Sequence, residues 1–469
     1  MSTNRRNFLR NSLLGAGALS AGLYSYGSES EKGKHLKKYK QRFNMSGYAA
    51  PKIDNVRVGF IGLGNRGPGA VRRMSYLKGV EVKALCDLYE DRVEKCQKRL
   101  EDRGLPRADS YWGAEDAWKK VVERDDLDLI CIATPWDLHT PMAVYSMENG
   151  KHAVVEVPAA NTIEECWQLV ETSERTKKHC MMLENACYDF FELQVLNMVR
   201  QGYFGELVHG EGAYIHQLGF MYRDHYANFW RMKENAKRNG NLYPTHGLGP
   251  ICQAMDINRG EKLNYMVSMQ SDDFMLGKKA EELSKDDPFY LDYLNKPFRG
   301  NMNVSVIKTN LGRTIMLQHD VTSPRPYSRI HLLSGTKAVA QKYPLPGRIS
   351  NGHKWLEEEE MKEMEEKYAP EIIIKMKGLA EKAGGHGGID FIMCYRLIDC
   401  LRNGLPLDQD VYDAALWTVI GHLSEYSVAN GSIPVEIPDF TCGSWESNKP
   451  FELNLKGGGT TEVHTIPGS

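Results

Sequence analysis

A glycine-rich turn behind an apolar run constrains the fold of this chain most strongly. Residues 56–62 predict a buried strand, and Gly62, Gly64 and Gly67 follow as Gly-x-Gly-x-x-Gly directly before a predicted helix. In such a unit the glycines allow a tight turn, close approach of the backbone to a pyrophosphate, and close packing of helix on strand. The amino end of the helix then faces the negative charge of the phosphates. The sequence therefore predicts a dinucleotide-binding unit.

Asp87 indicates which dinucleotide binds. It ends the second predicted strand, residues 80–87, and lies 20 residues after Gly67. A carboxylate at this position accepts hydrogen bonds from the adenosine ribose hydroxyls and would repel a 2′-phosphate. We therefore expect NAD rather than NADP as the cofactor.

Two further apolar runs extend the pattern. Residues 127–133 and 151–156 are separated by helical stretches, which predicts an α/β fold with a doubly wound parallel sheet. Residues 136–139 come directly after the first of these strands, where open α/β sheets hold ligands. The same residues could instead form a loop packed on its own helix.

The amino terminus has the pattern of an export signal. Arg5 and Arg6 precede Phe-Leu-Arg and an apolar stretch of small residues at 13–19, which is too short to span a bilayer. This pattern predicts a twin-arginine signal and a periplasmic protein; the alternative is a basic start of a cytoplasmic chain. Free nicotinamide cofactor is cytoplasmic, so an exported enzyme must carry its NAD with it and regenerate it in place.

Composition excludes several classes of partner and cofactor. The net charge of −2, without a concentrated basic face, argues against nucleic acid, and no transmembrane segment is expected in the mature chain. The ten cysteines form no close-spaced framework, and Cys86 and Cys131 lie in apolar strand-like runs, so buried free thiols are expected. No metal-ligand spacing occurs, and we expect no metal.

Motifs at the strand ends carry a family resemblance. Residues 133–135 with His139, and residues 155–158, resemble the Gfo/Idh/MocA oxidoreductase family. The resemblance implies an N-terminal Rossmann domain and a C-terminal α/β domain with a large open, mainly antiparallel sheet. Sugar dehydrogenases of that family carry a lysine near the substrate hydroxyl where this chain has Val157. Because valine cannot transfer a proton, a plain dehydrogenase mechanism lacks its usual participant.

Residues 183–188, 230–250 and 384–390 resemble one branch of that family, glycoside hydrolase family 109, over nearly the whole mature chain. The resemblance implies an α-N-acetylgalactosaminidase that retains NAD between turnovers, with a glycan or glycoside carrying a terminal N-acetylhexosamine as substrate. The expected domains are a signal peptide at 1–30, a linker at 31–54, a Rossmann domain at 55–185, a substrate-binding sheet domain at 186–380, helices packing back on the Rossmann domain at 381–433, and a polar, irregular tail at 434–469.

The resemblance also implies the residues of the site. Cofactor contacts beyond the glycines are expected at Asn65, Arg66, Asp87, Trp136, Asp137, Leu138, His139, Glu156, Val157 and Asn185. Substrate contacts are expected at Tyr214, Arg231, Tyr243, Pro244, Thr245, His246 and Tyr327. Taken alone, a histidine is more often a hydrogen-bonded structural residue and a tyrosine a packing residue. The motif context favours His246 and Tyr214 as catalytic residues.

A bound NAD allows a hydrolytic route without the usual pair of catalytic carboxylates. Oxidation at C3 of the sugar acidifies the proton on C2, the C1 substituent is eliminated, water adds at C1, and the ketone at C3 is reduced again. We assign to His246 the proton transfer at the C3 hydroxyl and to Tyr214 the removal of the C2 proton. The reverse assignment is left open. The alternatives are an exported Gfo/Idh/MocA sugar oxidoreductase and a non-catalytic cofactor-binding protein. An open-faced sheet would also allow a homodimer.

The carboxyl-terminal part predicts mostly supporting structure. Residues 357–367 predict a solvated acidic helix, and residues 389–403 and 411–429 predict two helices, the first with amphipathic spacing and a stop at Gly404. Tyr412 and Trp417 are expected in the core. His386, in a glycine-rich loop, could approach the substrate, although the glycines could equally serve only to shape a turn.

Overall fold

The computed structural model describes residues 39–219, 230–452 and 454–466. Two units can be distinguished, Met1–Gln41 and Arg42–Ser469. Only residues 39–41 of the first unit are described, and the second unit carries all the helices and strands given below. The predicted export signal lies outside the described residues.

The first sheet is the predicted doubly wound parallel sheet. Its strands are β1 Val56–Ile61, β2 Val80–Cys86, β3 Asp109–Tyr111, β4 Leu129–Ile132, β5 His152–Val155 and β6 Cys180–Met182. They lie in the order β3-β2-β1-β4-β5-β6, and every neighbouring pair is parallel. Every residue of β4, β5 and β6 is buried, because helices cover both faces of such a sheet. The strand order is that of the Rossmann fold.

The helices of this part are α1 Gly67–Met74, α2 Glu90–Glu101, α3 Ala117–Val122, α4 His139–Glu148 and α5 Ile163–Thr176. Local sequence sets their ends. The hydroxyl of Thr162 accepts the N–H of Glu165 at 3.1 Å, and the Glu165 carboxylate accepts the N–H of Thr162 at 3.2 Å, so α5 begins at a capping box.

The second sheet has eight strands. They are β7 Leu207–Ile215, β8 Leu263–Gln270, β9 Asn303–Thr309, β10 Thr314–Asp320, β11 Leu332–Gly335, β12 Val339–Gln341, β13 Arg348–Ser350 and β14 Val435–Glu436. Their order is β13-β12-β11-β7-β10-β9-β8-β14, and only β7 and β10 pair in parallel. Buried residues alternate with less buried ones along β9, as expected for a sheet covered on one face. This is the open, mainly antiparallel sheet that the sequence comparison implied.

The remaining helices are α6 Phe190–Arg200, α7 Trp230–Lys237, α8 Thr245–Ala254, α9 Leu276–Leu283, α10 Glu358–Tyr368, α11 Glu371–Ala383, α12 Ile389–Asn403 and α13 Val411–Ala429. Short 3₁₀ turns lie at Trp136–Leu138, Asn185–Tyr188, Pro288–Tyr293, His386–Gly388 and Ser444–Glu446. Helix α8 packs on β7 and helix α13 packs on β8, so both helices cover the second sheet. Helices α12 and α13 also contact helices and strands of the Rossmann part, as predicted. The acidic helix α10 buries only Tyr368, which confirms its predicted exposure.

Helix α12 corrects one prediction. Its limits agree with the sequence, with Gly404 at φ +62° as the left-handed stop, but its amphipathic character is wrong because residues 389–401 are all buried. The polar side of the helix has buried partners instead of solvent. Arg396 donates to both oxygens of Asp408 at 2.7 and 2.9 Å. A polar stripe in a sequence therefore does not distinguish solvent from buried ion pairs.

The carboxyl-terminal tail is bound to α12. The Asp399 carboxylate, fully buried, accepts the backbone N–H groups of Gly459, Thr460 and Thr461 at 2.6, 3.1 and 3.0 Å. The tail also supplies β14 and buries Phe440. It is therefore more ordered than its polar sequence predicts.

The predicted core residues are confirmed. Tyr412 and Trp417 are fully buried, and nine of the ten cysteines, Cys86 and Cys131 among them, are buried thiols outside any disulfide; Cys442 is exposed, against the expectation of burial. No helix in the described part of the chain combines the length and apolarity needed to cross a bilayer.

Candidate active site

The glycine turn after β1 has the close backbone packing that its sequence predicts. Gly62 has φ +89°, and a Cβ there would lie 2.6 Å from the backbone of Ala133. A Cβ on Gly67 would lie 1.9 Å from the carbonyl oxygen of Gly62. No side chain fits in either place, so the first turn of α1 lies directly against the end of β1. This leaves a cradle of backbone N–H groups at a helix amino end, which suits a pyrophosphate.

Asp87 lies beside this turn at the end of β2. One carboxylate oxygen accepts the N–H of Leu63 at 2.6 Å, and the other accepts the N–H of Tyr89 at 3.0 Å. Arg92 Nη1 is 3.4 Å from the second oxygen. These contacts fix the carboxylate where the adenosine ribose of a dinucleotide is expected.

A buried charge network joins the turn to α12. Arg66 donates from Nε to Glu156 at 3.0 Å and from Nη1 to Asp390 at 3.2 Å. The amide of Asn185 donates to Asp390 at 2.5 Å, and His386 Nδ1 lies 3.1 Å from the same carboxylate. The network brings together three predicted cofactor contacts, Arg66, Glu156 and Asn185, and adds Asp390.

Asp390 remains ionised in this network. Burial raises the pKa of its carboxyl, but the hydrogen bond with His386 and the charges of Arg66 and Arg73 outweigh burial, so the pKa lies far below its ordinary value. The carboxylate therefore supports the cations around it at every pH of physiological interest.

His139 is placed differently from its neighbours. Its ring is fully buried, with Nδ1 2.7 Å from the carbonyl oxygen of Pro158 and Nε2 2.8 Å from that of Thr134. The ring thus bridges the loops after β4 and β5. Asp137 and Leu138 are exposed, whereas Trp136 and Val157 are buried beside the loops. Any effect of His139 on a cofactor passes through these two loops.

A direct backbone contact positions the second half of the site. A Cβ on Gly212 of β7 would lie 2.3 Å from the carbonyl oxygen of Gly247, and a Cβ on Gly247 of α8 would lie 2.3 Å from the backbone nitrogen of Ala213. The first turn of α8 therefore packs on the strand without intervening side chains. This contact places His246, on that turn, beside Tyr214, two residues along β7 from Gly212.

Aromatic rings form the surface between these elements. Tyr214 lies 4.5 Å from Tyr243 and 5.4 Å from His246, measured between ring centroids. Trp136 from the first half is 6.0 Å from Tyr243, and the guanidinium carbon of Arg231 is 5.5 Å and 5.6 Å from these two rings. Four predicted substrate contacts thus cluster against the cofactor half. Pro244 and Thr245 are buried at the start of α8.

Tyr214 has an adjacent proton acceptor. Burial raises the pKa of its hydroxyl to about 12, against the opposing effect of Arg231, so the group is protonated at neutral pH. Its oxygen is 3.1 Å from His216 Nδ1. Burial also lowers the pKa of His216, with Arg231, His246 and His386 acting in the same direction, so this imidazole is neutral and can accept the phenolic proton.

Tyr327, in the segment between β10 and β11, also contacts this cluster. Its ring is 5.1 Å from that of His216, and its hydroxyl accepts a hydrogen bond from Arg329 at 3.1 Å. Arg329 is buried and also donates to Asp189 and Glu192, both at 2.8 Å. Tyr327 itself is exposed, so a buried cation fixes a hydroxyl that solvent or a ligand can reach.

The predicted residues therefore form two adjoining groups, and several members were not predicted. His216, Glu184, Asp390 and Gly212 all have a part in the geometry without an assigned role in the sequence. His216 could have been found, because residues two apart on a strand share a face and Tyr214 was already a candidate. Asp390 and Glu184 were inside quoted motifs, but their partners lie far away in sequence. Asn65 is exposed at the turn, and its cofactor contact stays a prediction.

A dinucleotide cradle beside a cluster of tyrosine and histidine side chains defines the class of protein to which this chain belongs. Its carboxylates, Glu156, Asp390 and Glu184, each bind a cationic or imidazole partner and do not form an exposed pair. The described site can exchange protons with a bound hydroxyl compound next to a nicotinamide cofactor. This is the arrangement of an NAD-dependent enzyme acting on a sugar.

Family comparisons specify that class. Residues 56–184 match the model of the oxidoreductase family with an NAD-binding Rossmann fold. Residues 188–447 match the model described as glycosyl hydrolase 109, C-terminal domain. The chain belongs to glycosyl hydrolase family 109, a family of NAD-dependent glycoside hydrolases.

Two curated relatives show the extent of the similarity. A glycosyl hydrolase family 109 protein of Porphyromonas gingivalis is 49% identical over 417 residues, covering 86% of this chain and 88% of the relative. An alpha-N-acetylgalactosaminidase of Bacteroides fragilis is 49% identical over 408 residues, covering 85% of this chain and 95% of the relative.

Solved structures support the fold. An NAD binding oxidoreductase from Klebsiella pneumoniae superposes with a TM-score of 0.62 at 15% identity, covering 82% of this chain and 100% of that one. Scyllo-inositol dehydrogenase from Lactobacillus casei, with bound NAD(H) and scyllo-inositol, gives 0.59 at 12% identity, covering 81% and 99%. At these identities the likeness concerns the fold.

Proposed function

We propose that this chain is an α-N-acetylgalactosaminidase that cleaves terminal N-acetylgalactosamine through a redox-neutral cycle with tightly bound NAD. The observation that carries the proposal is the cluster of Tyr214, His216 and His246 against the NAD-binding half, where the carboxylates Glu156, Asp390 and Glu184 of the described residues form no exposed pair. Ordinary glycosidases need two carboxyl groups on either side of the scissile bond. The alpha-N-acetylgalactosaminidase of Bacteroides fragilis supports the choice of sugar.

The residues present fit NAD. The contacts of Gly62 and Gly67 hold the first turn of α1 directly against the end of β1, at the turn where a pyrophosphate would bind, and Asp87 is fixed where a ribose would lie. Arg66, Glu156 and Asn185 form the network beside the turn. When bound, NAD supplies a hydride acceptor and donor for C3 of the sugar.

The protein's own groups move the protons of the cycle. His246 takes the proton of the C3 hydroxyl and later returns it. Tyr214 acts at C2, with His216 Nδ1 accepting the phenolic proton so that the oxygen can act as a base. Such proton transfers each contribute about 10²–10⁴-fold in rate. Arg231, Tyr243 and Tyr327 border the same space and would hold the sugar.

The test uses purified protein without added cofactor. Incubation with an aryl N-acetyl-α-galactosaminide in deuterated water should release the aglycone and place deuterium at C2 of the sugar. Release of the aglycone with no deuterium at C2, in a reaction allowed to run to many turnovers, would contradict the elimination route. A panel of aryl glycosides, including β-anomers and N-acetylglucosaminides, identifies the preferred substrate.

The same preparation distinguishes the proposed glycosidase from the alternative, a sugar oxidoreductase. Denaturation should release nicotinamide cofactor in about equal amount to protein, without net accumulation of NADH during turnover. An oxidoreductase would instead need a second substrate to reoxidise the cofactor and would leave the glycosidic bond intact. Buried Val157, which cannot transfer a proton, disfavours that alternative.

Export and dimerisation complete the proposal. The twin-arginine pattern at residues 1–30 supports periplasmic localisation, and cell fractionation with a twin-lysine variant tests it.

The outward face of the second sheet exposes Tyr265, Met269 and Val306, which supports a homodimer through that face. Light scattering of the wild type and of Val306→Lys tests the dimer. A monomeric wild type would reject it.

A further inference from the structure

Glu184 occupies a fixed position between the two halves of the site. It follows β6 and precedes the 3₁₀ turn Asn185–Tyr188, and its side chain has no solvent exposure. Its Oε1 lies 2.6 Å from His246 Nδ1 and also accepts the N–H of Ala186 at 3.0 Å. Its carbonyl oxygen accepts the side-chain amide of Gln409 at 3.0 Å. Both the backbone and the carboxylate of Glu184 are therefore fixed.

The carboxyl group of Glu184 is ionised despite its burial. Burial raises its pKa, but the imidazole of His246 and the N–H of Ala186 lower it more, so the net shift is downward from the ordinary glutamate value. An ionised carboxylate only accepts hydrogen bonds. The proton between the two groups must therefore sit on Nδ1 of His246.

This constraint decides what the rest of the imidazole can do. With Nδ1 protonated, a neutral ring has its lone pair on Nε2. The His246 side chain retains 14% exposure while Glu184 retains none, so the accessible edge of the ring is the one away from the carboxylate. That edge faces the space bordered by Tyr214 and Tyr243.

We propose that Glu184 is a positioning residue that holds His246 in the Nδ1–H tautomer and leaves Nε2 as the proton acceptor for the substrate. The catalytic consequence rests on the proposed function, whereas the tautomer itself does not. The pair also spans the two halves of the site, because Glu184 follows β6 of the first sheet and His246 lies in the first turn of α8, which packs on the second. The orientation and the tautomer of the base are thus set by the nucleotide-binding half.

The test compares Glu184→Gln with the wild-type holoenzyme. The amide keeps the shape of the side chain but removes its charge, so the Nδ1 proton is held less strongly; the ring proton can then move to Nε2, which removes the acceptor. We expect kcat to fall about 10²–10⁴-fold, since a wrong histidine tautomer has this order of effect in other enzymes. KM for the aryl glycoside and the amount of bound NAD should change little. Glu174→Gln is the matched control, because Glu174 is an equally buried glutamate that binds Tyr412 and lies outside the site.

The pH–rate profile supplies a readout that a merely structural role would not change. A neutral amide stabilises the imidazolium less than a carboxylate does, so the acidic limb should move to lower pH in Glu184→Gln. The other titratable groups near His246 are Tyr214, Tyr243 and His216, and the substitution leaves all of them in place. Glu184→Asp, which keeps the charge at a longer distance, should recover part of kcat and the wild-type limb.

Nitrogen-15 NMR of histidine-labelled wild-type protein tests the tautomer without any activity measurement. The expected result is a protonated Nδ1 with a strongly downfield, slowly exchanging proton at one histidine, assigned by its loss in His246→Gln. An Nε2–H tautomer at His246 would overturn the proposal, even if Glu184→Gln fails to fold. The proposal would equally be rejected if Glu184→Gln kept the wild-type kcat and pH profile. Absence of glycosidase activity in the wild type, with the tautomer present, would reject the proposed function alone.

Discussion

The two halves of the site are held together by different forces. On the nucleotide side, a partly exposed Arg66 and the buried Glu156 and Asp390 form a network of charged groups. On the sugar side, the glycine-to-glycine contact of α8 with β7 and a set of aromatic rings fix the geometry. Charges tolerate small displacements because electrostatic energy varies slowly with distance, whereas close-packed backbone does not. The sugar side should therefore be the more sensitive of the two to small changes of shape.

Histidines show the same contrast. In the nucleotide half, His139, His152 and His179 are buried; the rings of His139 and His152 contact backbone groups, and the ring of His179 packs 5.1 Å from that of His152. In the sugar half, His216 and His246 keep part of the ring exposed and contact ionisable side chains. Exposure therefore distinguishes the two imidazoles of the proposed site from the three buried ones of the nucleotide half.

The largest effect is expected from Gly67→Ala. The added Cβ would lie 1.9 Å from the carbonyl oxygen of Gly62, so the turn must open and the pyrophosphate cradle is lost. Purified protein should contain almost no NAD and show no detectable turnover. Gly378→Ala, where nothing lies within 4 Å of the new Cβ, is the control and should retain both. Full NAD content in Gly67→Ala would show that the turn is not the cofactor site.

Removal of the reactive groups on the sugar side comes next. His246→Ala and Tyr214→Phe should each lower kcat about 10²–10⁴-fold, the range for lost general acid–base catalysis, while NAD remains bound. Steady-state rates and the NAD released on denaturation measure the two quantities separately. Wild-type rates in both variants would discard the assignment of these residues.

Gly247→Ala examines the packing of α8 directly. The new Cβ would lie 2.3 Å from the backbone nitrogen of Ala213, so α8 must move away from β7 and carry His246 with it. A displacement of the order of 1 Å can cost about 10²-fold in rate. We expect that loss in kcat with unchanged NAD content. Equal losses of activity and NAD would mean that the halves do not respond independently.

The smallest effect on turnover at neutral pH is expected from His179→Gln, which examines a structural pair. Burial lowers the pKa of His179 to about 4, and that of His152 well below its ordinary value, next to Lys178. Because the folded-state pKa is below the unfolded one, the stability due to His179 is present above pH 6.5 and lost as pH falls towards 4. This loss is about 3 kcal/mol for His179. The free energy of unfolding, measured with urea at several pH values, should decline less steeply with falling pH in the variant than in the wild type. An unchanged slope would contradict this prediction.

Much of the nucleotide half could be predicted from sequence because its determinants are local. Strand, glycines, helix and Asp87 follow one another within about one β–α–β unit, and each has a steric or electrostatic reason to be there. The sugar half could not be derived in this way. Tyr214, His246 and Tyr327 are distant in the chain, and only motif resemblance connected them before the fold was known.

The partners of the reactive groups were less predictable still. Glu184 and His246 are 62 residues apart, and Gly212 is one of two glycines in strand β7, with nothing in the sequence to show which of them contacts the backbone of a helix. The amphipathic reading of α12 failed for a related reason, since Arg396 and Asp408 bind each other in the core. Residue pattern predicts which side chains are polar, and only the tertiary structure shows which buried group they bind.

The attachment of the tail to Asp399 matters for anyone who shortens or tags this enzyme. Asp399 is nine residues along α12 from Asp390, so the same rigid helix carries the tail anchor near one end and an ion pair of the nucleotide site near the other. Truncation after residue 458 would leave a buried carboxylate without three of its N–H donors. Residues 459–461, although they are far along the chain from the glycine turn, therefore help to fix the helix that carries this ion pair, and a purification tag belongs beyond them.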